Sequence, residues 1–98
     1  MNIFERIKKN KISRKKIDKY TIELGKPNLS FNNGKLKLYT YNNARVCFLI
    51  DRTKSYLFPT ISVFEDMEEG IHQAMQYINY KIFQLGLTDT NKIKNNDI

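Results

Sequence analysis

The stretch Ser62–Gly86, SVFEDMEEGIHQAMQYINYKIFQLG, decides how the rest of the chain is read, because it carries the period and the end signals of one long amphipathic helix. Phe64, Met67, Ile71, Met75, Ile78, Ile82 and Leu85 recur at three- and four-residue steps, which puts them on one stripe of a helix. Ser62 and Glu65 fit the S-x-x-E capping pattern, in which hydroxyl and carboxylate satisfy free backbone N–H groups, and Gly86 suits a left-handed stop. Glu65, Asp66, Glu68 and Glu69 fall in the first two turns, where the helix dipole favours negative charge. A stripe of this length needs a cover, and the chain before it reads as a sheet.

Working backward, Asn33-Gly34 is a two-residue type I′ turn signal between Leu29-Ser30-Phe31 and Leu36-Lys37-Leu38. Pairing Asn32 with Lys35 sets Phe31 opposite Leu36 and Leu29 opposite Leu38, all on one face. The next turn, at Tyr41-Asn42-Asn43-Ala44, is decided by counting faces. A three-residue loop with Asn43 left-handed joins Val46, Phe48 and Ile50 to Leu36 and Leu38, whereas a two-residue loop mixes them with Lys37 and Tyr39. Segregation favours the three-residue loop. Asp51–Lys54 is a third turn, and Ser55–Phe58 reads as a strand that Pro59 ends or places at an edge. Earlier still, Tyr20, Ile22 and Leu24 alternate with polar residues up to Gly25-Lys26-Pro27, the pattern of a half-buried strand.

The N-terminus reads as a short basic helix capped by Asn2, with Ile3, Phe4 and Ile7 packed on the body and a solvated lysine face. Residues 1–19 hold eight lysines and arginines against Glu5 and Asp18, so most of the chain's formal charge of +7 lies there. Such an arm is the electrostatic signature of a polyanionic partner. A competing source exists: 13 lysines, 11 asparagines and 12 isoleucines are what adenine- and thymine-rich codons supply, and lysine exceeds the 4 arginines accordingly.

The fold class expected is therefore α+β: a short N-terminal helix, an antiparallel meander of four to five strands, and one long C-terminal helix across one face of the sheet. Residues 1–87 form one domain and 88–98, TDTNKIKNNDI, a disordered polar tail. At 98 residues the chain is too short for a two-lobed enzyme with a cleft between lobes. One cysteine excludes an internal disulfide, no apolar run approaches a membrane span, and charges occupy the place of a signal peptide's apolar core, so a cytoplasmic protein without a membrane role is expected.

Catalytic signals are thin. Nucleophilic catalysis needs a nucleophile, a base and an orienting group, and the chain offers one cysteine, Cys47, in an interior strand and one histidine, His72, near the helix start. The step Glu69-Gly70-Ile71-His72 puts two metal ligands on one helix face, but a carboxylate-bridged site needs a second copy. No phosphate-loop glycine pattern is present. A non-enzymatic protein with no cofactor and no metal is expected.

Binding surfaces are better supplied. In the favoured register the outward sheet face carries Lys35, Lys37, Tyr39, Tyr41 and Arg45, charges for phosphates and rings for stacking, beside Lys8, Lys9, Lys11, Arg14, Lys15 and Lys16 of the arm. On the long helix Gln73, Tyr77, Tyr80 and Gln84 form a line suited to a protein interface, unless the tyrosines pack beneath the arm. The order of a short basic meander, then Val63-Phe64-Glu65-Asp66-Met67-Glu68-Glu69 and a long helix, resembles in architecture the small DNA-binding domains of the integrase-arm type over residues 35–86. That resemblance implies DNA read by an exposed sheet face through Lys35, Lys37, Tyr39 and Arg45. The family's tryptophans are absent, and the N-terminal elements are additional.

Two functions are carried forward. The first is a small regulatory protein, of a kind suited to a bacteriophage or mobile element, that engages nucleic acid or a nucleoprotein through arm and sheet. The second is an inhibitor or adaptor that docks directly on a host enzyme.

Overall fold

The computed structural model describes residues 2–86, so the expected tail at 88–98 lies outside the described residues. Helix α1 spans Ile3–Leu24, strands β1 Asn28–Asn32, β2 Leu36–Tyr41, β3 Val46–Asp51 and β4 Thr60–Phe64 follow, and helix α2 spans Met67–Leu85. The strands form one antiparallel sheet in the order β1-β2-β3-β4. The expected α+β class and meander are present, but both faces of the sheet carry apolar clusters, one under α2 and one under α1.

The α2 face is the main core. Phe31, Leu36, Leu38, Cys47 and Leu49 of the sheet meet Ala74 and Ile78, with Met67, Ile71, Met75 and Ile82 around them. Gly70 lets the helix approach closely: a methyl there would collide with Phe64 Cβ and fall 2.8 Å from Cys47 Sγ. The helix starts later than the capping pattern indicates. Ser62 and Phe64 belong to β4, and Asp66 is the N-cap, its Oδ1 accepting from Glu69 N at 3.2 Å. Phe64 thus joins the stripe's cluster from a strand, while Leu85 is exposed. Gly86 ends the helix in the left-handed region, φ 65° and ψ 29°.

The last strand is Thr60–Phe64; Ser55–Phe58 is loop, and Tyr56 and Leu57 are 70% and 80% exposed. Pro59 precedes β4 instead of closing a strand. At the β1–β2 turn the corner is Gly34-Lys35, one residue later than expected. Asn33 pairs with Leu36, its N–H donating to Leu36 O, and Gly34 takes φ 93°. Asn32 Oδ1 accepts from Gly34 N and Asn33 Oδ1 from Leu36 N, each at 2.8 Å, so the asparagines brace the turn through side chains. Phe31 consequently faces Leu38, and a bulge between Leu29 and Phe31 sets Leu29 opposite Tyr39, half exposed and out of the core.

The β2–β3 loop overturns the face count. It holds four residues, Asn42–Arg45, with Arg45 at φ 58°, and Tyr41 pairs with Val46. An even loop puts Val46, Phe48 and Ile50 beside Tyr41, Tyr39 and Lys37, and Cys47 and Leu49 beside Thr40 and Leu38. Segregating apolar from polar residues is the right criterion only for a sheet wet on one side, and this sheet is covered on both. The run Val46-Cys47-Phe48-Leu49, buried throughout, is what a strand covered on two faces needs.

Helix α1 is 22 residues long and absorbs Tyr20, Ile22 and Leu24, which the alternation assigned to a strand. Over five residues a period of two and a period of 3.6 are hard to separate, and extending an existing helix avoids a new nucleation cost. Ile17 and Tyr20 pack inward while Ile22 is 85% exposed, and Gly25, at φ 86°, ends the helix with its N–H on Thr21 O. Phe4, expected on the body, is 75% exposed.

Candidate functional site

Helix α1 is anchored by polar side chains beside the apolar contacts of Ile17 and Tyr20. Asn10, 8% exposed, donates from Nδ2 to Pro59 O and accepts at Oδ1 from Ile61 N at 3.1 Å, bonding the strand edge as a neighbouring strand would. One turn on, Ser13 Oγ donates to Ile61 O at 3.3 Å, and near the helix end Thr21 Oγ1 and Tyr41 Oη share a hydrogen bond of 2.7 Å. These anchors define the inner side of the helix along Asn10, Ser13, Ile17 and Tyr20.

The opposite side is basic. Lys8, Lys11, Lys15 and Lys19 step by three, four and four residues, so they form one ridge about 16 Å long pointing away from the sheet. All four are exposed, and among the described residues the two ion pairs, Lys16–Glu65 at 2.9 Å and Arg45–Glu68 at 2.8 Å, involve none of them. Lys9 and Arg14 flank the ridge, exposed. Lys16 is turned to Glu65, whose hydrogen bond and charge raise the ammonium pKa. Lys19 belongs to the charge excess of residues 1–19, but reading a strand from Tyr20 onward hid its place on the ridge.

The sheet residues do not form the expected platform. Tyr41 is buried beneath α1, its hydroxyl donating to Ile17 O at 3.2 Å, and Tyr39 stacks on Phe48 with centroids 4.9 Å apart. Lys37 is half-buried opposite Ile50, Lys35 is exposed at the first turn, and Arg45 is paired with Glu68. Helix α1 lies over the face that the integrase-arm resemblance leaves open to DNA.

Of the α2 line, Gln73, Tyr80 and Gln84 are exposed, whereas Tyr77 turns inward and donates its hydroxyl to Asp51 Oδ2. The tyrosines do not sit beneath α1, which occupies the other face. Burial, the hydrogen bond to Asp51 and that group's charge push the Tyr77 pKa well above its ordinary value. Gln73 and Tyr77, with Leu49, Asp51, Thr60, Ser62, Phe64 and Ala74, line a cleft of 320 Å³ between β4 and α2. Cys47 is fully buried, and burial, with a smaller effect of Asp66, raises its thiol pKa, while His72 is exposed. No group of three metal-ligating side chains occurs among the described residues. No helix among them is long and apolar enough to cross a membrane.

No protein family matches this chain, and no curated protein or solved structure is significantly similar to it.

Proposed function

We propose that the protein is a non-enzymatic nucleic-acid-binding protein whose contact surface is the outer side of α1. The observation that carries this is the ridge Lys8, Lys11, Lys15 and Lys19, four exposed ammonium groups without ion-pair partners among the described residues, on a helix whose inner side is pinned to the sheet. On the helix period these four share one side, opposite the anchors Asn10, Ser13 and Ile17. Lysines on a straight helix meet phosphates as point charges and carry no base code, so binding is expected to tolerate sequence and to depend on salt. Lys9 and Arg14, both exposed, extend the surface sideways.

Fluorescence anisotropy with labelled duplex DNA, duplex RNA and single strands between about 50 and 200 mM salt tests this reading. With four phosphates neutralised, log K falls against log salt with a slope of roughly −3 to −4. Replacing the four lysines by glutamine flattens that slope and abolishes binding at the higher salt. Absence of binding at about 50 mM salt, or a glutamine variant that binds unchanged, ends the proposal.

A second reading, docking on a host protein as an inhibitor or adaptor, has its own support in the β3–β4 loop. Tyr56 and Leu57 stand out from the body, exposed apolar groups of the sort that anchor interfaces. In a nuclease-treated lysate, a stoichiometric partner lost on Tyr56→Ser/Leu57→Ser and retained by the lysine variant favours this reading over the first.

A further inference from the structure

The cleft between β4 and α2 is built like a binding site, and the lysine ridge makes no use of it. Leu49, Phe64 and Ala74 give it apolar walls, and its lining also includes Asp51, 5% exposed, and the polar residues Thr60, Ser62 and Gln73. At 320 Å³ it sits at the small end of ligand pockets.

Among the described residues Asp51 is bonded by neutral donors. Thr53 N at 2.8 Å and Thr53 Oγ1 at 2.5 Å donate to Oδ1, and the Tyr77 hydroxyl donates to Oδ2. A carboxylate offers about four lone-pair positions, so one on Oδ2 is left. Nearby cations are directed elsewhere. Arg52 donates to Tyr56 O at 2.6 Å and stacks over that ring, and the Lys81 ammonium sits 5.6 Å from the Tyr77 ring centroid. Among the described residues neither ion pair includes Asp51. A buried carboxylate without a cation is costly, and a charge-assisted bond from a ligand cation would offset that cost.

We infer that this cleft binds a small primary ammonium ligand with a short apolar stem. The ammonium donates to Asp51 Oδ2 and to oxygens among Thr60, Ser62 and Gln73, and the stem lies against Leu49, Phe64 and Ala74. An anionic ligand is repelled by Asp51, and a neutral alcohol lacks the charge that the carboxylate rewards.

Amide chemical shifts of the full chain, followed while n-butylammonium, n-butanol and butyrate are titrated in turn, test the inference. Saturable shifts at Leu49, Ser62, Gln73 and Ala74 with the ammonium alone are expected. Asp51→Asn is expected to weaken binding about tenfold or more. Since Asp51→Asn could unfold the chain, Ser62→Leu provides a second route: it fills the cleft with Asp51 in place and abolishes the same shifts. Equal binding of butanol, shifts confined to the exposed acids Glu65, Glu68 and Glu69, or no saturable shift overturns the inference.

Discussion

The two helices flank one sheet, and the side chains they bury most completely against it are of opposite kinds. Helix α2 buries Gly70, Ala74 and Ile78, a close-packed apolar contact with the sheet; the buried residue of α1 is Asn10, a polar side chain spent on a strand edge. Apolar packing repeats with the helix period and shows in sequence as a stripe. A polar anchor is one residue in one place, and Asn10 in KKNKIS has nothing around it to mark it as buried. The difference also assigns roles. An apolar stripe occupies a helix's inner side broadly, whereas a few hydrogen bonds leave most of α1's circumference free for lysines.

The comparison is most severely tested in the α2 core. Ile78→Ala, at a fully buried position, is expected to cost about 2–5 kcal/mol in urea unfolding. Next, Asn10→Ala leaves Pro59 O and Ile61 N without their partner and is expected to cost about 1–3 kcal/mol. It also bares the β4 edge, so concentration-dependent self-association should appear in sedimentation. If Asn10→Leu is as stable as the natural chain, α1 is held by apolar contact after all and the contrast collapses.

Tyr77→Phe removes one donor from the Asp51 carboxylate and is expected to cost about 1 kcal/mol or more at neutral pH. Its pH dependence has a definite sign. The folded-state pKa of Tyr77 is raised, so its contribution is fully present below the ordinary tyrosine value of about 10 and is lost as pH climbs beyond it. The gap between the two unfolding free energies should therefore be constant from pH 8 to 9 and narrow from about pH 10 upward; a gap that stays constant to pH 11 contradicts this linkage. Smallest of all, glutamine at Lys8, Lys11, Lys15 and Lys19 is expected to shift stability by only about 0.5 kcal/mol, because these side chains are exposed among the described residues. A large loss would mean that the ridge is structural.

How far the sequence reached differs from element to element. The stripe Met67–Ile82, the Gly86 stop and the Asn2 cap, whose Oδ1 accepts from Glu5 N at 2.9 Å, depend on contacts within a few residues and were legible. The candidate ridge was half legible: Lys8, Lys11 and Lys15 were singled out, yet their common side depends on α1 continuing to Leu24. Asp51 read as a turn residue and Thr60 and Ser62 drew no attention, because the cleft they line exists only once β3, β4 and α2 are brought together.

By itself, the sequence determined an α+β chain with an antiparallel meander, a long helix covering it, and a basic N-terminus, since period, turn residues and charge are local properties. Tertiary structure alone decided that the sheet is covered on both faces. That cover removes the cost of turning Val46 and Phe48 away from Leu36 and Leu38, and it permits the four-residue loop at Asn42–Arg45. It also buries Tyr41 and leaves the lysines outside. Strand parity follows from what lies over a face, and here the cover is a helix whose anchors, Asn10 and Ser13, bond to backbone far away in sequence.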